Sequence, residues 1–418
     1  MDHAGRDDSV SPMWVQTTSR RRASERLLFP LSSPGFRLMS QLPSLGSADA
    51  ANLAGPLRAE AARLGFARIG IAAATAPPRH DVFQAWLDRG FAGVMEAWLK
   101  RHEPLRGDPQ SLLAGARSVI MLATDYSAVA PGDAAEPVEQ GRGRVSRYAW
   151  GDDYHDLLRT RVNTLAAWLR EQVPGCATRG VVDSAPLAER EFGWLAGLGW
   201  FGKNTMLIHP AAGSFFFLTG LLTDLELPVD EPIVVDHCGT CTACLDACPT
   251  GALPAPRVLD ARKCISALTI EDHGPIADDL RAGLGDWVFG CDICQDVCPW
   301  NRHAPMTDEP AFQPRGGEAT LSLAELLTLD EAGFRQRFKA APILRAKRVG
   351  LARSAAIALG NRPDPAAAAA LEQALRDPER VVRDAAAWAV EQWIAQGGEL
   401  ADLATTIVRR AEEQRATG

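Results

Sequence analysis

The sequence predicts a mixed α/β (α+β) core, a small cysteine-held module after it, and an α-helical tail. Three observations predict this. Helical periodicities alternate with short apolar runs between residues 50 and 230; eight of the nine cysteines fall between 238 and 298; and from about residue 320 the chain turns alanine-rich and helical. A length of 418 residues accommodates two or three domains, each with its own core. The composition, 46% hydrophobic and 23% charged, is that of a globular protein. No stretch approaches 18 uninterrupted apolar residues, so no membrane-spanning helix is expected. A formal net charge of -8 argues against wholesale coating of nucleic acid but leaves room for a local basic face.

Residues 1–48 mix Ser, Arg and Pro without a period and read as a disordered extension, with Met39 as an alternative start. Pro30 breaks the longest apolar run there, which makes it a poor export signal. The expected location is therefore cytoplasmic and reducing, where cysteines do not serve as disulfides. The core is expected over 49–228. Within it "PLRAEAARLGFARIGIAAA" reads as an amphipathic helix followed by a strand from about Phe66 to Ala73. "ARSVIMLATDY" offers a second strand, 117–124, of the continuously apolar kind found in the middle of a layered sheet. In "DDYHDLLRTRVNTLAAWLREQ", Asp152 or Asp153 caps a helix whose Leu158, Val162, Leu165 and Leu169 recur at helical spacing. "RGVVDSAP" reads as a strand breaking into a turn at Asp183. "TMLIHPAAGSFFFLTGLLT" reads as a hairpin looping at 209–213. In the tail, 311–418, Arg353 with Ala355 and Ala356 is echoed about thirty residues later by Arg383 with Ala385 and Ala386. Small residues at that period suggest HEAT-like repeats, with an ordinary helical hairpin as the alternative.

The module, 229–310, carries the chemistry. "CGTCTACLDACPT" has the spacing C-x2-C-x2-C-x3-C-P, the ferredoxin pattern for [4Fe-4S] clusters, in which the fourth cysteine serves the other cluster. A zinc site instead takes two C-x-x-C pairs around one ion. The second set is Cys264, Cys291, Cys294 and Cys298, with Pro299 following. By the same logic one cluster takes Cys238, Cys241, Cys244 and Cys298, and the other takes Cys248, Cys264, Cys291 and Cys294. Cys176 is left over as an ordinary thiol. Two adjacent clusters make an electron relay, and a bare carrier needs neither the preceding core nor the tail, so the remainder should hold an acceptor.

Several stretches carry a resemblance: "RYAWGDDYHDLLR" (147–159), "VDSAPLAEREFGWLAGLGWFGKNTMLIHPAAGSFFFLTGLLTDLEL" (182–227), "LDARKCISALTIE" (259–271) and "GCDICQDVCPWNR" (290–302). With the cysteine spacings they resemble the epoxyqueuosine reductases over about 50–395. That resemblance implies a cobalamin-dependent enzyme that reduces the epoxide of epoxyqueuosine to an alkene at the tRNA wobble position. It further implies a cobalamin-binding core shared with reductive dehalogenases, no protein ligand below the cobalt, a monomer, and a low-potential donor such as ferredoxin or flavodoxin. The family's proton donor falls on Asp183, whose apolar neighbours Val181, Val182, Ala185 and Pro186 suggest a carboxyl kept protonated near neutrality by desolvation. The bland alternative is that Asp183 or Ser184 caps a helix with Pro186 in its first turn.

Around the corrin, Arg106, Arg147, Lys203 and Asn204 are candidate donors to amide and phosphate groups, with Gly199 and Gly202 permitting close backbone approach. Ser266, Glu271 and Gln295 are candidates for its border. Residues 334–363 hold eight Lys or Arg and no acid, a field suited to a tRNA backbone. Two other readings compete: a dehalogenase-like reductase of a small molecule, and a non-catalytic electron-transfer protein.

Overall fold

The computed structural model describes residues 47–129, 138–317 and 319–417. The expected extension lies outside these, apart from Ser47 and Ala48, which begin the first helix, Ser47–Arg63. Nine strands follow: β1 (Arg68–Ala73), β2 (Ser118–Asp125), β3 (Arg142–Val145), β4 (Thr178–Val181), β5 (Trp200–Phe201), β6 (Leu207–Ile208), β7 (Phe216–Thr223), β8 (Trp287–Phe289) and β9 (Thr320–Ser322) among the described residues.

The main sheet has the order β1-β2-β7-β4, antiparallel throughout. β2 is continuously apolar because it is covered on both faces. Strand alternation sends Ile120 and Leu122 to one side and Val119, Met121 and Ala123 to the other. The first side packs on Leu57 and Ala61 of the first helix and on Leu158, Val162, Leu165 and Leu169 of the helix Tyr154–Gln172. Asp153 caps that helix, its carboxylate accepting the His155 N–H. The second side packs on Phe192 of the helix Glu189–Leu195. The result is a three-layer core.

The expected hairpin over 205–223 is only half present. The 209–213 turn forms, with a bridge between His209 and Gly213. Its two flanks go to different sheets, however: β6 pairs with β5, and β7 pairs with β2 and β4. Apolar residues on both flanks had two competing partners, and the longer strand found more burial in the main sheet.

A second sheet, β8-β3-β9, takes one strand from each of the three predicted segments, with β3 parallel to β8 and antiparallel to β9. One hydrophobic core runs from Val145 through Ile265 and Phe289 to Ala411. Module and tail therefore fold against the core as a single body.

In the tail, the helices Lys347–Asn361 and Arg380–Gln396 pack through Ala355, Ala356, Ala385, Ala386 and Ala389. The matched arginines both hold backbone carbonyls. Arg353, 1% exposed, donates to Leu268, Asp272 and Gly274 of the module, and Arg383 donates to Asp377 and Pro378. Arg348 and Asp377 form a buried two-pronged pair at 2.8 Å. Arg348→Met strands the carboxylate, so stability should fall by about 3–5 kcal/mol, read as a drop in melting temperature.

The basic segment 334–363 is thus less free than its composition suggests. Arg335, Arg337, Arg345, Arg348 and Arg362 are ion-paired with Glu331, Glu325, Glu271, Asp377 and Asp286. Arg353 is buried, which leaves Lys339 and Lys347 as its exposed cations without an ion pair among the described residues.

Candidate functional site

β4 ends at Val181, and the chain turns at Asp183, whose φ of 47° lies in the left-handed region that non-glycine residues seldom occupy. Glu189 Oε1 holds that turn by accepting the Asp183 peptide N–H at 2.7 Å. The next helix starts at Glu189 with Ala188 as its cap, so neither Asp183 nor Ser184 caps it and Pro186 is not in its first turn. What the strained turn does is present a carboxylate. Asp183 Oδ2 accepts the Tyr154 hydroxyl at 2.9 Å and meets His155 Nε2 at 3.1 Å. His155 Nδ1 in turn meets Asp153 Oδ1 at 2.7 Å. The Tyr154 ring is fixed by stacking against Phe217 and His155, at 4.1 Å each.

Asp183 lies in a crevice, walled by protein yet with 58% of its side chain open to solvent. Arg106, Tyr148, Glu189, Arg190 and Arg345 are close enough to bear on the charges there. The expectation of a protonated Asp183 is reversed. Burial works to raise its pKa, but the hydrogen bond and charge of His155, the Tyr154 hydroxyl and the Arg345 charge outweigh it and hold the carboxyl below its ordinary range. The proton sits next door. Burial opposes charge on His155, but Asp153 and Asp183 overcome it and lift its pKa to about 9. Glu189 is pushed up to about 8 by burial and by the Asp183 charge. At neutral pH the crevice therefore holds an Asp183 carboxylate, a His155 imidazolium and a largely protonated Glu189. Because folding raises the His155 pKa above its unfolded value of about 6.5, the stability it contributes is complete below that value. It fades as pH rises through about 9. The wild-type melting temperature should fall over that window more steeply than that of His155→Gln.

The thiols gather into two groups. One cavity is lined by Cys238, Cys241, Cys244 and Cys298 with Lys203, Asn204 and Trp300. Burial raises the Cys244 and Cys298 pKa values, and the neighbouring thiols that add to the effect are members of the same four. Burial likewise raises Cys264, Cys291 and Cys294, with Cys248, Cys264 and Cys294 as the reinforcing neighbours. Cys294 also feels Cys244, so the groups adjoin. All-sulfur sets of four, with no carboxylate lining the cavity, fit iron–sulfur clusters.

The remaining sequence candidates are dispersed. Arg106 faces the crevice with its Nε buried and unpartnered. Arg147 is 2% exposed and gives Nη1 to Asp292 and Asp296 at 3.4 and 2.5 Å. Gln295 is buried and donates to Ser214. Ser266 offers its peptide N–H to the Cys264 sulfur. Glu271 forms a forked pair with Arg345. Lys203 and Asn204 bind the cysteine loops: Lys203 Nζ donates to the Gly239 and Cys241 carbonyls at 2.7 and 2.8 Å, and Asn204 Nδ2 donates to the Cys294 carbonyl at 3.1 Å. Gly199 and Gly202 admit close approach of Ile208 of this same chain, since a Cβ at either would fall within about 2.5 Å of it. Sequence reasoning missed Tyr154, His155, Glu189 and Arg345. The first two were in view within "YHDLLR", but an N-terminal helical turn gives no sign that it points at a carboxylate 28 residues on.

Comparison with known proteins gives a consistent picture. Residues 237–301 match a family model described as a 4Fe-4S double cluster binding domain, and residues 106–184 match one described as Epoxyqueuosine reductase QueG, DUF1730. An epoxyqueuosine reductase of Xanthomonas campestris is 41% identical over 83% of this chain and 98% of its own length. That of Escherichia coli is 40% identical over 83% and 91%. A crystal structure of an epoxyqueuosine reductase with an epoxyqueuosine-modified tRNA-Tyr stem loop superposes with a TM-score of 0.75, at 30% identity over 87% of this chain and 98% of that one. The Bacillus subtilis enzyme, with its aspartate catalytic loop swung out of the active site, gives 0.71 at 30% identity over the same shares.

Proposed function

The chain belongs to the epoxyqueuosine reductase family, and from that membership we infer that it reduces the epoxide of epoxyqueuosine in tRNA to the alkene of queuosine. The observation that carries this reading is the carboxylate–imidazolium–tyrosine group at Asp183, His155 and Tyr154, in a crevice of a core that folds as one body with a double-cluster module. Converting an epoxide to an alkene and water consumes two electrons and two protons. The two groups of four cysteines would hold the clusters that relay the electrons. A corrin in the crevice would supply cobalt that can pass electrons to carbon. Arg106, close to the Asp183 charge and with a buried Nε that has no partner, suits its polar rim; Arg147 also has an unpartnered Nε, but its Nη1 is held by Asp292 and Asp296, and Lys203 Nζ is held by two carbonyls.

The residues of this chain manage the protons. Expulsion of the epoxide oxygen needs a proton delivered as the carbon–oxygen bond breaks. His155 holds one at neutral pH, and Asp183, bonded to it, aims and relays it to the oxygen. Glu189, bonded to the Asp183 peptide, holds a second within the same crevice. Tyr154 fixes the carboxylate, and Asp153 keeps His155 charged. The tail presents Lys339 and Lys347 to the RNA backbone, and the wobble base must leave its stack to reach the crevice. HEAT-type repetition, a monomeric state, cytoplasmic location and a ferredoxin or flavodoxin donor complete the reading.

The test is single-turnover reduction of epoxyqueuosine-modified anticodon stem-loop by anaerobically reconstituted protein. The rate should hold near neutrality and fall above about pH 9 as His155 loses its proton. No conversion of the stem-loop by protein with its full complement of iron and corrinoid would refute the reading. Charge reversal at Lys339 and Lys347 together should raise KM severalfold with kcat little changed, and weaken the salt dependence of binding.

A further inference from the structure

The turn Gly202–Met206 touches both cysteine groups from the core side. Gly202 N–H bonds the Met206 carbonyl at 2.8 Å, and Thr205 takes φ 68°, so the turn is tight and conformationally costly. Its base is the β5–β6 pair, anchored by Trp200 and Ile208, which are 2% and 1% exposed. From this base Lys203 reaches the Gly239 and Cys241 carbonyls, and Asn204 reaches the Cys294 carbonyl. The Lys203 carbonyl also accepts the Arg257 peptide N–H at 2.9 Å, which ties down the backbone from which the side chain extends.

The loop that Lys203 holds needs such a clamp. Residues 238–242 belong to no strand or helix, Gly239 sits at φ 49°, and Cys241 is the one exposed thiol among the nine. Lys203 lines the cavity of the first cysteine group, and no acidic residue lines it. Four thiolates and added electrons make that cavity strongly negative, and one cation at its wall favours the more reduced state.

We propose that Lys203 is the positioning residue of the solvent-facing cluster: it clamps the Cys238–Cys241 loop to the core and, by its fixed charge, raises that cluster's reduction potential so that it loads first. This rests on the double-cluster reading above and assigns Lys203 to the cluster rather than to the corrin rim.

The experiment is potentiometric titration of anaerobically reconstituted full-length protein, followed by electron paramagnetic resonance, with iron counts and cobalamin binding measured alongside. In Lys203→Met one cluster should become harder to reduce by roughly tenfold in its oxidised-to-reduced ratio, about 59 mV for one electron. The other cluster should stay near its wild-type value. Lys203→Arg should restore the potential, and cobalamin affinity should be unchanged in both. Should Lys203→Met shed one cluster's iron while Lys203→Arg keeps it, the clamp is upheld. Unaltered potentials in Lys203→Met with full iron would overturn the proposal, as would weakened cobalamin binding with unaltered potentials. Wild-type protein that binds no iron would instead sink the double-cluster reading itself.

Discussion

Asp183→Asn should slow reduction of epoxyqueuosine-modified RNA by about 10²–10⁴-fold, the usual worth of a positioned acid–base group, while leaving iron content and cluster spectra as in the wild type. The side chain keeps its shape, and an amide oxygen can still accept the Tyr154 hydroxyl now 2.9 Å from Oδ2. What disappears is the negative charge. Without it His155 loses one of its two carboxylate partners, so its pKa falls from about 9 toward the ordinary imidazole value and it no longer holds its proton dependably near neutrality. The relay and its source fail together. The high-pH limb of the residual rate should accordingly move to lower pH, which loss of the fold would not produce. A variant within about threefold of wild type would show that the epoxide oxygen takes its proton elsewhere.

The second large effect concerns the crossed cysteines. Cys298→Ala should disable the cluster of Cys238, Cys241 and Cys244, although those residues lie more than fifty positions away. Cys248→Ala should disable the other cluster, although Cys248 stands only four positions after Cys244. Each variant should drop from about eight to about four irons per chain, with the surviving resonance differing between the two, and each should lose tRNA reduction because the relay is cut. If Cys248→Ala and Cys244→Ala removed the same resonance, the cysteines would be grouped by sequence proximity and the crossed pairing would be wrong.

How much of this could be read from the chain varies with the residue. Cysteine spacing is a local code, because three closely spaced thiols must wrap one face of a cube and the following proline turns the fourth away. The strand Ser118–Asp125 and the helix Tyr154–Gln172 were legible for a similar reason: each carries its own periodicity and, for the helix, its cap. Asp183 was singled out through the resemblance, but its charge state was inferred from the apolar neighbours Val181 and Val182, which are adjacent in sequence. The groups that set it, Tyr154 and His155, come from another element. The partners of Lys203 were hidden for the same reason. A lysine in a glycine-rich turn suggests an anionic ligand, whereas this one meets two backbone carbonyls from a loop more than thirty positions on.

The sequence by itself offered Asp183 as the candidate acid, and it determined the main element types and the eight thiols at ferredoxin spacing, since those follow from interactions spanning a few residues. Only the tertiary structure decided which proton that carboxylate shares, how the basic tail residues pair, and that β3, β8 and β9 join the three predicted segments in one sheet. Charge pairing and strand pairing depend on which distant groups meet once the core has closed, and neither leaves a periodic trace in the chain.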